Sequence, residues 1–154
     1  MRIYLAQHGE ATSSEENRQR PLSDKGVADV RKIGDFLYAE AKLCVPEVLH
    51  SGKLRGEQTA ELFARCLNGV YSAAADLNPN DDPALCAAHL ATREKDVMLV
   101  GHLPHISKLT ALLLTGDANQ TPVTFQNASV VCLERDAENA WHLQWMLTPD
   151  LLEK

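Results

Sequence analysis

With 154 residues, 45% of them hydrophobic and 23% charged, the chain has the size and makeup of one globular domain over residues 1–154, able to bury about 70% of the surface its unfolded form exposes. A formal charge of −6 without any Lys/Arg cluster excludes a nucleic-acid binder, because phosphate backbones select basic faces. Neither a signal-peptide core before Gln7 nor an apolar run of membrane-spanning length occurs, so a cytoplasmic protein that engages no membrane is expected.

Taken in order, Ile3-Tyr4-Leu5-Ala6 is a short apolar run that ends in Gln7-His8-Gly9-Glu10. Such a run bounded by turn residues reads as a buried parallel strand that delivers His8 at its carboxyl end, the end that faces the ligand crevice of an open α/β sheet. Residues 11–22 form a polar surface loop at the mouth of the proposed site. Ser23 then caps an apolar series at Val27, Val30, Ile33, Gly34, Leu37 and Ala41, whose spacing predicts a helix over 24–42. A second strand is expected over 46–51 and a helix over 54–67. Arg55 falls in the first turn of that helix. The helix dipole disfavours a cation there, whereas an anion pocket shared with the free N–H groups would use one.

A short strand is expected within 70–77, a loop over 78–83 and a helix over 83–93 with His89 on its surface. Asp96 to Val100 repeats the opening arrangement and delivers His102 past Gly101. His105, one turn into the helical region that follows Leu103-Pro104, competes weakly with His102 for a role, since His102 sits at the strand end. A helix stripe from Ile106 ends near Gly116, and the runs 128–134 and 141–148 read as a C-terminal hairpin. Alternating strands and helices predict a three-layer α/β/α sandwich with a mainly parallel central sheet, extended by the C-terminal strand pair. Cys44, Cys66, Cys86 and Cys132 are widely spaced without a Cys-x-x-Cys pair, and read as buried reduced thiols rather than zinc ligands or disulfides.

Three strand ends thus supply His8, Arg55 just past Ser51, and His102, a set suited to phosphoryl chemistry. A neutral imidazole can attack phosphorus while cationic and N–H donors hold the equatorial oxygens. A zinc site from His8, His102 and His105 lacks a suitably spaced carboxylate or cysteine, so no metal is expected.

The motifs His8-Gly9-Glu10, Pro21-Leu22-Ser23-Asp24-Lys25-Gly26, Leu54-Arg55-Gly56-Glu57-Gln58-Thr59 after Ser51, and Val100-Gly101-His102 make the chain resemble the histidine phosphatase (phosphoglycerate mutase-like) superfamily, and within it the small SixA-type phosphohistidine phosphatases. The resemblance covers nearly the whole chain. It implies a phosphatase that becomes phosphorylated on His8, with Gln7, Arg55 and His102 binding the phosphoryl oxygens and no metal or organic cofactor. The partner it implies is a phosphohistidine-bearing protein, or a small phosphorylated substrate.

The chain departs from the family pattern at Gln7, where the Arg-His-Gly motif has arginine, and at Gly52, where proline is usual. Gln7 keeps donors and loses the charge, which Arg18 or Arg20 on the mouth loop can supply. This substitution motivates an alternative, a catalytically silent phosphate-binding or interaction module on the same fold. Glu10, Asp81 and Asp82 are the candidates for a general acid, although a phosphohistidine leaving group needs none.

Overall fold

The opening apolar run forms strand β1, Arg2–Gln7, in the computed structural model, which describes residues 1–153. The chain continues through α1 (Asp24–Ala39), β2 (Glu47–His50), α2 (Leu54–Cys66), β3 (Val70–Ala73), α3 (Pro83–Thr92), β4 (Val97–Gly101), α4 (His105–Thr115), β5 (Val130–Arg135) and β6 (Trp141–Leu147), then a 3₁₀ turn at Pro149–Leu152. Among these residues six strands build one sheet in the order β3-β2-β4-β1-β5-β6. β1 pairs parallel with β4 and antiparallel with β5, so the C-terminal hairpin extends a parallel half-sheet as expected.

Strand alternation divides the core. Tyr4 and Ala6 pack with Val30, Ile33 and Leu37 of α1 and Phe63 of α2, whereas Ile3 and Leu5 pack with Leu90 of α3 and with Ile106 and Leu109 of α4. Two helices cover each face, which makes the α/β/α sandwich. The helices α1 and α2 approach closely: a Cβ on Gly34 would lie 2.7 Å from Cys66 Cβ.

Two expectations need correction. The helix predicted over 24–42 stops at Ala39, because Lys42 turns into the left-handed region (φ 55°) and the Leu43 N–H bonds back to the Leu37 carbonyl, steering buried Val45 toward β2. All four cysteines are free, but only Cys86 and Cys132 are buried. Cys44 is exposed and Cys66 half-buried, because Cys44 alternates outward beside Val45 and Cys66 ends α2.

Candidate active site

The two central strands end together. Gln7 is in register with Gly101, so His8 and His102 each follow one residue past the paired ends, and their ring centroids lie 5.0 Å apart. The motif residues explain the turn that follows His8. A Cβ on Gly9 would lie 2.9 Å from Val30 Cγ2, and one on Gly26 would lie 2.1 Å from the Glu10 carbonyl oxygen, so both glycines are required where the loop meets α1. Ser23 caps α1 by accepting from the Gly26 N–H (3.0 Å), donates its hydroxyl to Glu10 Oε2 (2.8 Å) and donates its N–H to the Glu10 carbonyl (2.9 Å). Helix α2 holds the same loop from its other side: Gln58 Oε1 accepts from the Leu22 N–H at 2.7 Å, and Thr59 Oγ1 accepts from the Gly9 N–H at 3.0 Å while donating to the Arg55 carbonyl at 2.8 Å. Gln58 and Thr59 were visible in the sequence only as parts of a motif; Thr59 ties Arg55 to the residue after His8, and Gln58 ties α2 to Leu22.

The His8 ring donates Nδ1–H to the Gly9 carbonyl at 2.7 Å. A carbonyl accepts only, so this contact fixes the tautomer and leaves the lone pair on Nε2. Burial lowers its pKa from the usual histidine value; the Gly9 carbonyl opposes this, and Arg55 and Arg20 lower it further. His8 is therefore neutral near pH 7. His102, 1% exposed, is pushed down to about 3, by burial first and then by the neighbouring His8 and Arg55. Its Nε2 lies 2.6 Å from Ser51 Oγ, and the absence of a side chain at Gly56 lets α2 approach both groups. Ser51 Oγ already accepts from the Lys53 N–H at 3.3 Å. His102 Nδ1, on the other side of the ring, is buried and has no partner among the described residues.

Arg55 opens α2, whose N-cap Lys53 gives no side-chain cap. Its Nε is buried and likewise lacks a partner among the described residues. Burial, and then Arg20, lower its pKa from the usual arginine value. Arg20 donates Nε–H to the Thr12 carbonyl at 3.1 Å and acts on both His8 and Arg55, while Arg18 is exposed on the same loop. Arg20 is thus the loop cation that faces the site. Gly52 has φ 94°, which proline's ring forbids, and so accounts for its departure from the family pattern.

The other sequence candidates occupy different places. Gln7 is buried on the side of Ile3 and Leu5, and its Nε2 donates to Asn127 Oδ1 at 2.8 Å. No sequence signal marked Asn127. His105 is fully buried in the first turn of α4, with neither ring nitrogen partnered among the described residues. Asp81 accepts from the Asn78 N–H, Asp82 caps α3 through the Ala84 N–H, and Glu10 is held by Ser23. His89 is exposed beside Asp76, at 3.7 Å. Among the described residues no three His, Cys, Asp or Glu side chains are grouped to hold a metal, and no helix is long and apolar enough to cross a membrane. A cavity of about 490 Å³ lies under α3, lined by Leu49, Leu77, Leu90 and Leu99, and holds none of the site residues.

Phosphohistidine phosphatase SixA from Escherichia coli is 29% identical to the chain, across 97% of the chain and 94% of that protein. The solved structure of the protein histidine phosphatase SixA complexed with tungstate superposes with a TM-score of 0.87 at 27% identity, covering 99% of this chain and all of that one. The chain is a SixA-like homologue over nearly its full length. No protein-family model matches it. A mycobacterial glucosyl-3-phosphoglycerate phosphatase complexed with vanadate shares the fold at 17% identity and a TM-score of 0.73, covering 94% of this chain and 97% of that one. The SixA-like fold therefore spans essentially the full sequence.

Proposed function

We propose that the chain, acting as one domain over 1–154 in the cytoplasm, hydrolyses phosphohistidine displayed on another protein. His8 is the nucleophile, Arg55 and His102 are the phosphoryl-oxygen ligands, and Gln7 assists them. No metal or organic cofactor takes part. The observation that carries this reading is the His8 tautomer: Nδ1–H bound to the Gly9 carbonyl leaves Nε2 as a neutral nucleophile in a site with two buried nitrogens that lack a partner among the described residues, Arg55 Nε and His102 Nδ1. Donors held ready where negative charge gathers are what phosphoryl transfer requires.

In the first step His8 Nε2 attacks phosphorus, and the bond from phosphorus to the substrate imidazole breaks, the substrate ring leaving as a neutral imidazole that carries a proton on its other nitrogen. Because His8 keeps its hydrogen on Nδ1, the phosphorylated ring is cationic and leaves readily when water attacks in the second step. A carboxylate acid is dispensable for an imidazole leaving group, which fits the local duties of Asp81 and Asp82. Arg20 supplies the charge that Gln7 does not.

Incubating the protein with phosphohistidine proteins and small phosphate esters, and measuring released phosphate, tests the proposal. Phosphohistidine proteins should be hydrolysed faster than esters, with transient label on His8, and His8→Ala should abolish release. Near-normal turnover by His8→Ala would sink the assignment.

A further inference from the structure

Gln7 and Asn127 form a carboxamide pair that is incomplete as it stands. Gln7 Nε2 donates to Asn127 Oδ1, while Gln7 Oε1, on a residue only 7% exposed, has no partner among the described residues. A buried acceptor left without a donor is costly, so the arrangement leaves an unmet demand at this spot. Along the backbone this spot adjoins the site: Gln7 pairs with Gly101, one residue before His8 and His102.

The backbone fixes Asn127 in the same place. The Ala128 N–H donates to the carbonyls of both Gln7 and His8 at 3.1 Å, and the Gln7 N–H donates to the Ser129 carbonyl at 3.2 Å. Ser129 Oγ closes the turn by accepting from the Gln126 N–H (3.0 Å) and donating to the Gln126 carbonyl (2.7 Å). The Asn127 residue is itself exposed and lines an open polar cleft of about 220 Å³ with Glu10, Lys25 and Gln126.

Turning a carboxamide by half a revolution exchanges its oxygen and nitrogen at almost no steric cost. If both amides turn, Asn127 Nδ2 donates to Gln7 Oε1, and Gln7 Nε2 takes the position of the orphaned oxygen. Asn127 can change roles cheaply because solvent replaces whatever its other atom gives up. We propose that oxyanion binding reverses this pair, so that Asn127 is a positioning residue that turns Gln7 from a bystander into a donor to the phosphoryl group. The inference rests on the proposed placement of the phosphoryl group beside His8.

Vanadate affinity tests the pair without requiring turnover. In Asn127→Asp the carboxylate can only accept and holds Gln7 in its present orientation, so vanadate affinity should fall about tenfold or more, the worth of one hydrogen bond to a charged group. Gln7→Met, similar in volume but without a donor, should show a comparable loss. Adding Asn127→Asp to Gln7→Met should then change affinity by less than about twofold, since a pair acting as a unit is not additive. With isotope-labelled side-chain amides, the Gln7 resonances should move on vanadate addition in the wild type and stay in Asn127→Asp.

An equal loss from Asn127→Asp in both backgrounds would show the carboxylate acting by charge alone and would overturn the proposal. Unmoved Gln7 resonances at saturating vanadate, or no vanadate binding by the wild type, would overturn it as well. Phosphate release from phosphohistidine proteins is measured separately: its absence with the coupling intact would support the amide pair and sink the catalytic reading instead.

Discussion

His102 and His105 lie three residues apart in the sequence, are 1% and 0% exposed, and are both held below the usual histidine pKa by burial. Their surroundings differ. His102 leaves β4 toward the α2 side, bonds Ser51 and faces the His8 ring, and its Nδ1, like Arg55 Nε, is buried without a partner among the described residues. His105 begins α4 and feels the Asp76, Asp81 and Asp82 carboxylates of the loop before α3, with neither nitrogen bonded among the described residues. Unmet hydrogen-bonding capacity therefore has two meanings in one molecule. Unpartnered groups beside His8, the proposed nucleophile, suit a charge that arrives with substrate; one that stands alone is a cost to folding.

The largest effect should come from breaking the converging set. His102→Ala should lower phosphate release roughly 10²–10³-fold, the usual consequence of losing one preorganised donor, while His105→Leu should stay within about threefold of wild type. Reversed sensitivities would move the oxyanion site toward α4 and undo the assignment of roles.

Acid should expose what the two histidines share. His8, His50, His102 and His105 are all lowered by burial, so each stays neutral in the fold below the pH at which the unfolded chain begins to protonate, near 6.5. The unfolded chain then binds more protons than the native one. Stability is full above pH 6.5 and is lost as pH falls from there toward each folded pKa, which for His102 reaches about 3. The slope approaches about 1.4 kcal/mol per pH unit for each such group. Thermal melts followed by circular dichroism between pH 8 and pH 5 should show this loss; a flat profile would mean that these rings find partners or water when protonated.

How much of this was legible in the sequence depends on the range of the interaction. The strand runs, the glycine after His8, and Arg55 at a helix start are local patterns, and they located the three converging groups and the layered fold. The preference for His102 over His105 came from its strand-end position, a local feature too. Asn127 was invisible because its contact with Gln7 spans 120 positions and exists only once β5 pairs beside β1. The Ser51 contact to His102 crosses 51 positions in the same way. The overlong first helix failed for another reason: its apolar spacing runs on to Ala41, and the left-handed turn at Lys42 carries no glycine to announce it.

The smallest effect, and the sharpest test of the comparison, is the stability of His105→Leu. A neutral imidazole in the α4 core has one donor and one acceptor, and both are unpartnered among the described residues. A buried polar group left unpaired costs about 1–3 kcal/mol, whereas a hydrophobic replacement of similar volume usually costs under about 1.5 kcal/mol in packing. The net should be a gain of roughly 1 kcal/mol, or about 2–4 °C in Tm for a domain of this size. Leucine also has no proton linkage, so its advantage should be larger at pH 5 than at pH 8. That pH dependence separates relief of a buried titratable group from simple improvement in packing, which would raise Tm equally at both. A lower Tm for His105→Leu at both pH values would show that His105 is held by interactions its environment supplies, and the contrast with His102 would have to be redrawn as one between two satisfied histidines.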